Sequence, residues 1–332
     1  MTTHTDEAGG FRCISVVIPA YNEQESIGPL AKRLAEVLFR LDLRQYEVIF
    51  VDDGSTDGTW AAISEAQKSQ AWIRGVRLRR NFGKAAALDQ AIRRARFDVV
   101  VTMDADLQDE PSELPKLLAK LAEGYDVVSG WKKDRKDPLG KRLPSLLFNW
   151  ITARVTGLSL RDFNCGFKAY RREVFYTVSL YGELHRFIPA LAHGQGFRVG
   201  EVPVVHNPRV YGKSKYGLER FARGLLDLLT VVAINRYASR PGHLFGSIGL
   251  VLGVISAIAL FYLGITWFFE PIGGRPLLLV SLVLALISLQ FLFFGLLAEL
   301  HLHRAGDSSP HLVSDEVGQS RAVEAPSNRE KP

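Results

Sequence analysis

Asp98-Val99-Val100-Val101-Thr102-Met103-Asp104-Ala105-Asp106-Leu107-Gln108-Asp109 is a β-branched apolar run that breaks abruptly into carboxylates. Such a run predicts a buried strand whose far end meets solvent. Ile14-Ser15-Val16-Val17-Ile18, Val48-Ile49-Phe50-Val51, Ile73 to Leu78 and Val127-Val128-Ser129 read the same way. Between them lie stretches with helical patterning: Ser26 to Phe39, Thr59 to Gln67 and Lys84 to Ala95. Pro111 opens a further helix, since proline suits the first turn. The β-α-β-α order predicts an α/β domain with a mostly parallel sheet and helices on both faces. Ligands of such sheets bind beyond the carboxyl ends of the strands. In this chain the unusual residues fall there.

The composition suits a folded core. The 332 residues include 41 Lys+Arg against 35 Asp+Glu, a formal charge of +6, and 47% are hydrophobic. Mean hydropathy is +0.04, and together these values exclude a disordered chain. Cys13 and Cys165 are too few for a disulfide framework and lack a CxxC partner for zinc. A reducing compartment is the expectation. Met1 to Gly10 is polar, so no signal peptide is expected, and residues 1–12 are expected to be disordered.

The strand tips exclude several chemistries. After the first strand comes Pro19-Ala20-Tyr21-Asn22-Glu23, with no glycine, which argues against a dinucleotide-binding GxGxxG turn. A Walker A sequence is also absent. After the second strand, Asp52-Asp53-Gly54-Ser55-Thr56-Asp57-Gly58 offers an acidic pair for a base or ribose, or simply a turn. A calcium loop starting at Asp53 fails because its twelfth position is Ser64, not a bidentate glutamate. After the fourth strand, Asp104 and Asp106 would point to one side of an extended chain. They can hold a hard divalent cation that bridges a nucleotide's phosphates, or they are solvated strand-end aspartates.

Two charge-free stretches close the chain, Leu244 to Phe269 and Leu277 to Ala298. At helical rise they are roughly 39 and 33 Å long, enough for about 30 Å of hydrocarbon. Lys213, Lys215, Arg220, Arg223, Arg236 and Arg240 precede the first; His301, His303 and Arg304 follow the second. The connector holds Arg275 alone among basic residues. The positive-inside bias therefore predicts a transmembrane hairpin in the cell (inner) membrane, with both termini and everything before residue 244 cytoplasmic. Gly242 with Gly246, and Gly249 with Gly253, have the GxxxG spacing of close helix packing, so a homo-oligomer is expected. The expected organisation is an α/β domain over 13–210, a juxtamembrane amphipathic segment over 211–243, the hairpin over 244–298 and a disordered tail over 299–332.

Val16-Val17-Ile18-Pro19-Ala20-Tyr21-Asn22-Glu23, Asp52-Asp53-Gly54-Ser55 and Asp104-Ala105-Asp106-Leu107-Gln108, in that order, resemble the motifs of family 2 inverting glycosyltransferases of the GT-A fold. With the hairpin, the chain is similar to polyprenyl-phosphate glycosyltransferases, the group of dolichyl-phosphate mannose synthase and bacterial bactoprenol glucosyl transferase. The likeness covers about residues 13 to 300. It implies a Rossmann-like GT-A domain and a metal-dependent hexosyltransferase. The implied donor is a nucleotide diphosphate sugar, UDP-glucose first among them. The implied acceptor is a polyprenyl phosphate in the lipid bilayer. On this likeness Pro19, Tyr21, Glu23 and Asp53 would hold the nucleotide, and Asp104, Asp106 and Gln108 would place Mg2+ or Mn2+. Lys132, Arg135, Arg142, Ser145, Arg209 and Lys215 would bind acceptor and donor phosphates.

The basic residues support this independently. Lys132, Lys133, Arg135, Lys136, Lys141 and Arg142 precede an apolar Leu146 to Ile151 stretch suited to a membrane interface. Arg209-Val210-Tyr211-Gly212-Lys213-Ser214-Lys215-Tyr216 is a second group, followed by an amphipathic Leu218 to Arg240. These cations attract anionic headgroups, bind a lipid phosphate, or do both; no nucleic acid partner is expected. Asp162 has two readings, as a catalytic carboxylate that orients sugar or acceptor and as a turn residue. His185 and Arg186 likewise either touch phosphate or start a helix. A phosphate monoester is largely dianionic at pH 7 and attacks without a general base. The Gln-x-x-Arg-Trp motif of processive polysaccharide synthases is absent, which argues against polymer synthesis. Three rivals are a transferase acting on a glycolipid hydroxyl, a non-catalytic nucleotide-sugar scaffold, and a channel or carrier. The last is weak because two spans bury no obvious polar pathway, with Gln290 the one residue available for it.

Overall fold

The computed structural model describes residues 11–133, 139–178, 180, 182–208, 218–237, 240–272 and 275–305. Strand β1 (Cys13–Ala20) leads through α1 (Gln24–Arg40), β2 (Gln45–Asp52), α2 (Thr59–Ser69), β3 (Ile73–Arg77) and α3 (Lys84–Ile92) to β4 (Val99–Thr102). Then follow α4 (Leu114–Ala122), β5 (Val127–Lys132), α5 (Leu139–Thr156), β6 (Lys168–Arg171), α6 (Val174–Thr177), α7 (Ile188–Gly194) and β7 (Val199–Val204). Three long helices end the described chain: α8 (Leu218–Tyr237), α9 (Pro241–Trp267) and α10 (Pro276–Ala305).

Alternation along β1 builds the layers. Ile14, Val16 and Ile18 enter a core with Ile27, Leu30, Leu34 and Leu38 of α1, whereas Val17 packs on the other face with Ala87, Leu88 and Ala91 of α3. Each fully buried leucine of α1 contributes roughly 2 kcal/mol by leaving water. The seven strands lie in the order β3-β2-β1-β4-β6-β5-β7. All neighbours are parallel except at β6, which runs against both β4 and β5. The mostly parallel sheet with helices on both faces is the architecture expected from the sequence. The short β6 and β7 were not visible there, because Lys168-Ala169-Tyr170-Arg171 and Val199-Gly200-Glu201-Val202-Pro203-Val204 contain no apolar run.

The strand order reverses at β1, with β2 on one side and β4 on the other. This is the switch point where parallel sheets open a crevice. Antiparallel β6 has a further consequence. Its first residue, Lys168, pairs with Thr102 and Ser129, so its amino end lies at the carboxyl edge of β4 and β5. A second core of Phe148, Phe163, Tyr170 and Phe187 takes in Leu228 and Val231 of α8. Leu226 and Leu229 of the same helix stay exposed.

α9 and α10 pack on each other and leave most of their apolar surface bare, including Leu250, Ile258, Phe261, Leu279 and Leu286. Pro241–Trp267 and Pro276–Leu302 are long and apolar enough to cross a membrane. A buried core helix would not expose such a surface, and the pair marks a membrane protein. Both helices begin slightly before the charge-free stretches read from sequence. The glycine spacing is used inside the hairpin. A Cβ on Gly249 would meet Leu292 Cγ at 3.0 Å, and one on Gly253 would meet Ser288 Oγ at 2.7 Å. Ser288 donates to the Gly249 carbonyl at 2.7 Å, and Ser256 to the Ser281 carbonyl at 2.8 Å.

Candidate active site

The first two strand tips are stitched into one surface. The Asn22 and Glu23 amides donate to the hydroxyls of Ser55 (2.9 Å) and Thr59 (2.8 Å). In return the Asn22 side-chain oxygen accepts the Thr56 amide at 2.9 Å. Asn22 stands at φ +58°, a left-handed conformation that asparagine tolerates better than most residues. That explains how this turn dispenses with glycine. Gly54, at φ +68°, has no such alternative, since a Cβ would sit 2.2 Å from the Arg80 carbonyl carbon. Pro19 is the penultimate residue of β1 and Tyr21 follows its end, half-buried. The Glu23 carboxylate accepts from the Ser26 hydroxyl at 2.8 Å, in the first turn of α1.

Asp53 accepts the amides of Phe82 (2.8 Å) and Gly83 (2.9 Å), one on each oxygen. Burial raises its carboxyl above the usual range, against the lowering effect of these two bonds. The bonds fix the turn between β3 and α3, and the next residue is Lys84. Its ammonium bonds Oδ1 of Asp104. A lysine that opens a helix looks like any surface lysine in sequence, and this one was missed. The usable signal was its place just beyond the carboxyl end of β3.

Strand β4 ends at Thr102, and the chain bends at Ala105 to Leu107, so that Asp104 precedes the bend and Asp106 lies in it. The chain is not a regular extended strand over these residues. Instead Leu107 adopts φ +60° and Asp106 Oδ1 accepts the Gln108 amide at 3.2 Å. The Asp104 carboxylate lies over Gly166, where a Cβ would come within 2.6 Å of Oδ1. Burial works to raise the Asp104 carboxyl, but the charge and hydrogen bond of Lys84, with Lys132 and His185 behind it, hold it at about 2. The Gln108 side-chain amide turns to the Asn207 carbonyl at 3.4 Å, and the Asn207 amide donates to the Gln108 carbonyl at 2.8 Å. The loop after β4 is thus clamped to the segment after β7, a contact about a hundred residues away in sequence that periodicity cannot reveal.

Cations surround this bend. Lys132, at the end of β5, points inward to Asp109 at 3.9 Å, and His206 Nδ1 approaches the same carboxylate at 3.6 Å. Burial pulls the Lys132 ammonium down, but Asp109, Cys165, Asp162 and Asp104 together push it above its ordinary value. Lys168, 2% exposed, donates to the Phe163 carbonyl at 3.3 Å. Burial is the main cause that lowers it to about 8, with Lys84 adding to the effect. Asp162 is buried and accepts the Asn164 amide at 3.0 Å, which closes the turn before β6. His185 and Arg186 form the short turn before α7, and Arg186 pairs with Glu183. Burial, then Lys84 and Arg186, push His185 well below its usual value, so it is neutral at pH 7. A pocket lined by Lys84, Thr102, Asn164, Gly166, Lys168 and His185 opens here. Of the other expected phosphate-binding residues, Arg135, Arg209 and Lys215 lie outside the described residues. Arg142 and Ser145 are on α5 with side chains outside the description.

Fixed cations around buried carboxylates suit a substrate that arrives with several negative charges and departs with more. Among the described residues no three His, Cys, Asp or Glu side chains gather into a metal cluster. A Mg2+ or Mn2+ site here would rest on Asp104 and Asp106, with phosphate oxygens and water completing the shell, as such ions favour. The donor set fits that use: Asp104 and Asp106 offer hard carboxylate oxygens two residues apart, and the bare backbone of Gly166 leaves room for the Asp104 carboxylate beside it.

The domain has the fold of GT-A transferases. A glucosyl-3-phosphoglycerate synthase from Mycobacterium tuberculosis, solved with Mn2+, UDP and glucosyl-3-phosphoglycerate, superposes with a TM-score of 0.53 at 20% identity, over 68% of this chain and 80% of that one. The family model for glycosyl transferase family 2 matches residues 15–179. A dodecaprenyl-phosphate galacturonate synthase of Rhizobium johnstonii is 41% identical over 313 residues, 92% of each chain. An undecaprenyl-phosphate 4-deoxy-4-formamido-L-arabinose transferase of Edwardsiella ictaluri is 36% identical over 287 residues, covering 86% of this chain and 87% of that one. The chain belongs to glycosyl transferase family 2, and it is a glycosyltransferase.

Proposed function

We propose that this enzyme transfers one sugar from a nucleotide diphosphate sugar to a polyprenyl phosphate at the cytoplasmic face of the membrane, inverting the anomeric centre. The observation that supports it most is the joining, in one chain, of a cation-ringed acidic site to an apolar helical hairpin. Both relatives named above are polyprenyl-phosphate enzymes, and their likeness extends over nearly the whole chain.

In this reading Pro19, Tyr21, Glu23 and Asp53 bind the nucleotide, and Asp104, Asp106 and Gln108 place the metal ion at the diphosphate. A Mg2+ or Mn2+ ion held there would neutralise charge on the departing nucleotide. Lys132, Arg135, Arg142, Ser145, Arg209 and Lys215 bring the lipid phosphate in line with the anomeric carbon. The acceptor dianion needs no general base, so position accounts for most of the rate. Asp162 orients the sugar or the acceptor. The hairpin anchors the α/β domain, with both termini on the cytoplasmic side.

The family likeness favours UDP-glucose, a neutral hexose donor, whereas one relative's name specifies an acidic sugar and the other a neutral one. Incubating the purified chain with labelled UDP-glucose, UDP-galacturonate or GDP-mannose and undecaprenyl phosphate tests the reading. A lipid-phosphate sugar that fails to form in EDTA is the expected product. Transfer to a glycolipid hydroxyl in place of the phosphate would overturn the acceptor.

A further inference from the structure

Lys84 is in direct contact with Asp104 through Oδ1. Both side chains keep about a third of their surface exposed, so the pair stands at the mouth of the crevice. The lysine is placed by a rigid device. Asp53 grips the two amides before it, and α3 begins at Lys84 itself. Asp104 is confined on its other side by the backbone of Gly166. An ammonium on Asp104 competes with a divalent ion for this carboxylate and repels it, since the two cations would stand a few ångströms apart.

We propose that Lys84 is an internal counter-ion that occupies Asp104 until a nucleoside diphosphate arrives, so that the divalent ion loads with the diphosphate and poorly without it. The proposal rests on Asp104 and Asp106 being the metal-binding carboxylates. Alone, the incoming ion must displace Lys84 or bind against its charge, and it finds two protein carboxylates in a field of further cations, Lys132 and Lys168 among them. A diphosphate changes both sides of that exchange. Its oxygens supply the missing ligands, and its charge offers the released ammonium a new partner. Linkage makes the effect reciprocal: the ion strengthens diphosphate binding by the same factor. The device keeps the site free of metal when there is no donor to activate.

The test is Mn2+ titration of the full chain in detergent, with free ion followed by electron paramagnetic resonance, without nucleotide and with UDP or GDP. Wild type is expected to bind Mn2+ at least about tenfold tighter with nucleotide than without. Lys84→Gln should tighten nucleotide-free Mn2+ binding by about tenfold and so narrow the gap. Lys84→Arg retains the charge and should retain the gap, which separates loss of the counter-ion from damage to α3. Nucleotide-free Mn2+ binding that is unchanged or weaker in Lys84→Gln overturns the proposal. Asp106→Asn tells its failure from that of the metal assignment: if this variant binds Mn2+ as wild type does, the carboxylate assignment falls, and the proposal with it.

Discussion

Gly166→Ala perturbs one side chain of the site by a known amount. The new Cβ would lie 2.6 Å from Asp104 Oδ1 and 2.7 Å from both Cγ and Oδ2. Ordinary contact begins at 3.4 Å, so the carboxylate has to retreat by about 0.8 Å. Gly166 is not among the residues with positive φ, so alanine is allowed by the backbone and the strain falls on Asp104. The fold has little stake in that movement, because Asp104 is bonded to Lys84 at the surface of the crevice rather than packed in the core. Catalysis has a large one, since a displacement near 1 Å at a reacting centre costs about a hundredfold. The expected result is a kcat lower by about two orders of magnitude, measured as initial rate with labelled donor and saturating undecaprenyl phosphate. Thermal unfolding should shift by no more than a few degrees, as for a change of about 1 kcal/mol. A kcat within about twofold of wild type would refute the role of Asp104 at the reacting centre. A collapse of thermal stability would show instead that the carboxylate cannot yield and that Gly166 serves the fold.

Three other outcomes follow from particular residues. Asp106→Ala should abolish transfer while leaving the melting temperature within a few degrees of wild type, because the side chain lies in the bend beyond β4; full activity would sink the metal assignment. Lys168→Met tests the buried lysine through pH. A folded-state value lowered from 10.5 to about 8 means that the unfolded chain binds more protons between those limits, so Lys168 costs stability at neutral pH and the cost is relieved as pH rises. The stability of wild type relative to Lys168→Met, followed by denaturant unfolding, should therefore climb between about pH 8 and 10.5, by up to about 3 kcal/mol; a flat difference would show that the lysine stays charged. Gly28→Ala, in α1 directly before Pro29, sets a Cβ against the proline ring at helical backbone angles, so in the same assay it should gain less than the ~0.5–1 kcal/mol of an ordinary helical site, with activity unchanged.

The order of elements, the mostly parallel sheet and the pair of apolar helices were legible because each follows from local pattern. Apolar runs such as Val48 to Val51 and Val99 to Met103 break into aspartates, and such breaks mark strand tips. The same tips bore the motifs that resemble family 2 enzymes. The hairpin was legible for a similar reason, since length without charge is a property of a segment and not of its surroundings. What the local pattern could not show is which distant groups meet. Lys84 reaches Asp104, twenty residues away, because Asp53, just beyond the end of β2, holds the turn that precedes it. Gly166 and Lys168 reach the site because β6 runs antiparallel, and strand direction is set by the path of the whole chain rather than by Lys168-Ala169-Tyr170-Arg171. Nor could the local pattern show that β4 ends at Thr102 and that the chain bends at Ala105 to Leu107, around the second of the two aspartates. The sequence by itself determined the elements and the chemistry at their ends, because burial and periodicity act over a few residues. Only the tertiary structure decided which charges face one another, because those contacts depend on strand order and direction, where one antiparallel strand or one pinned turn moves a side chain from surface to site.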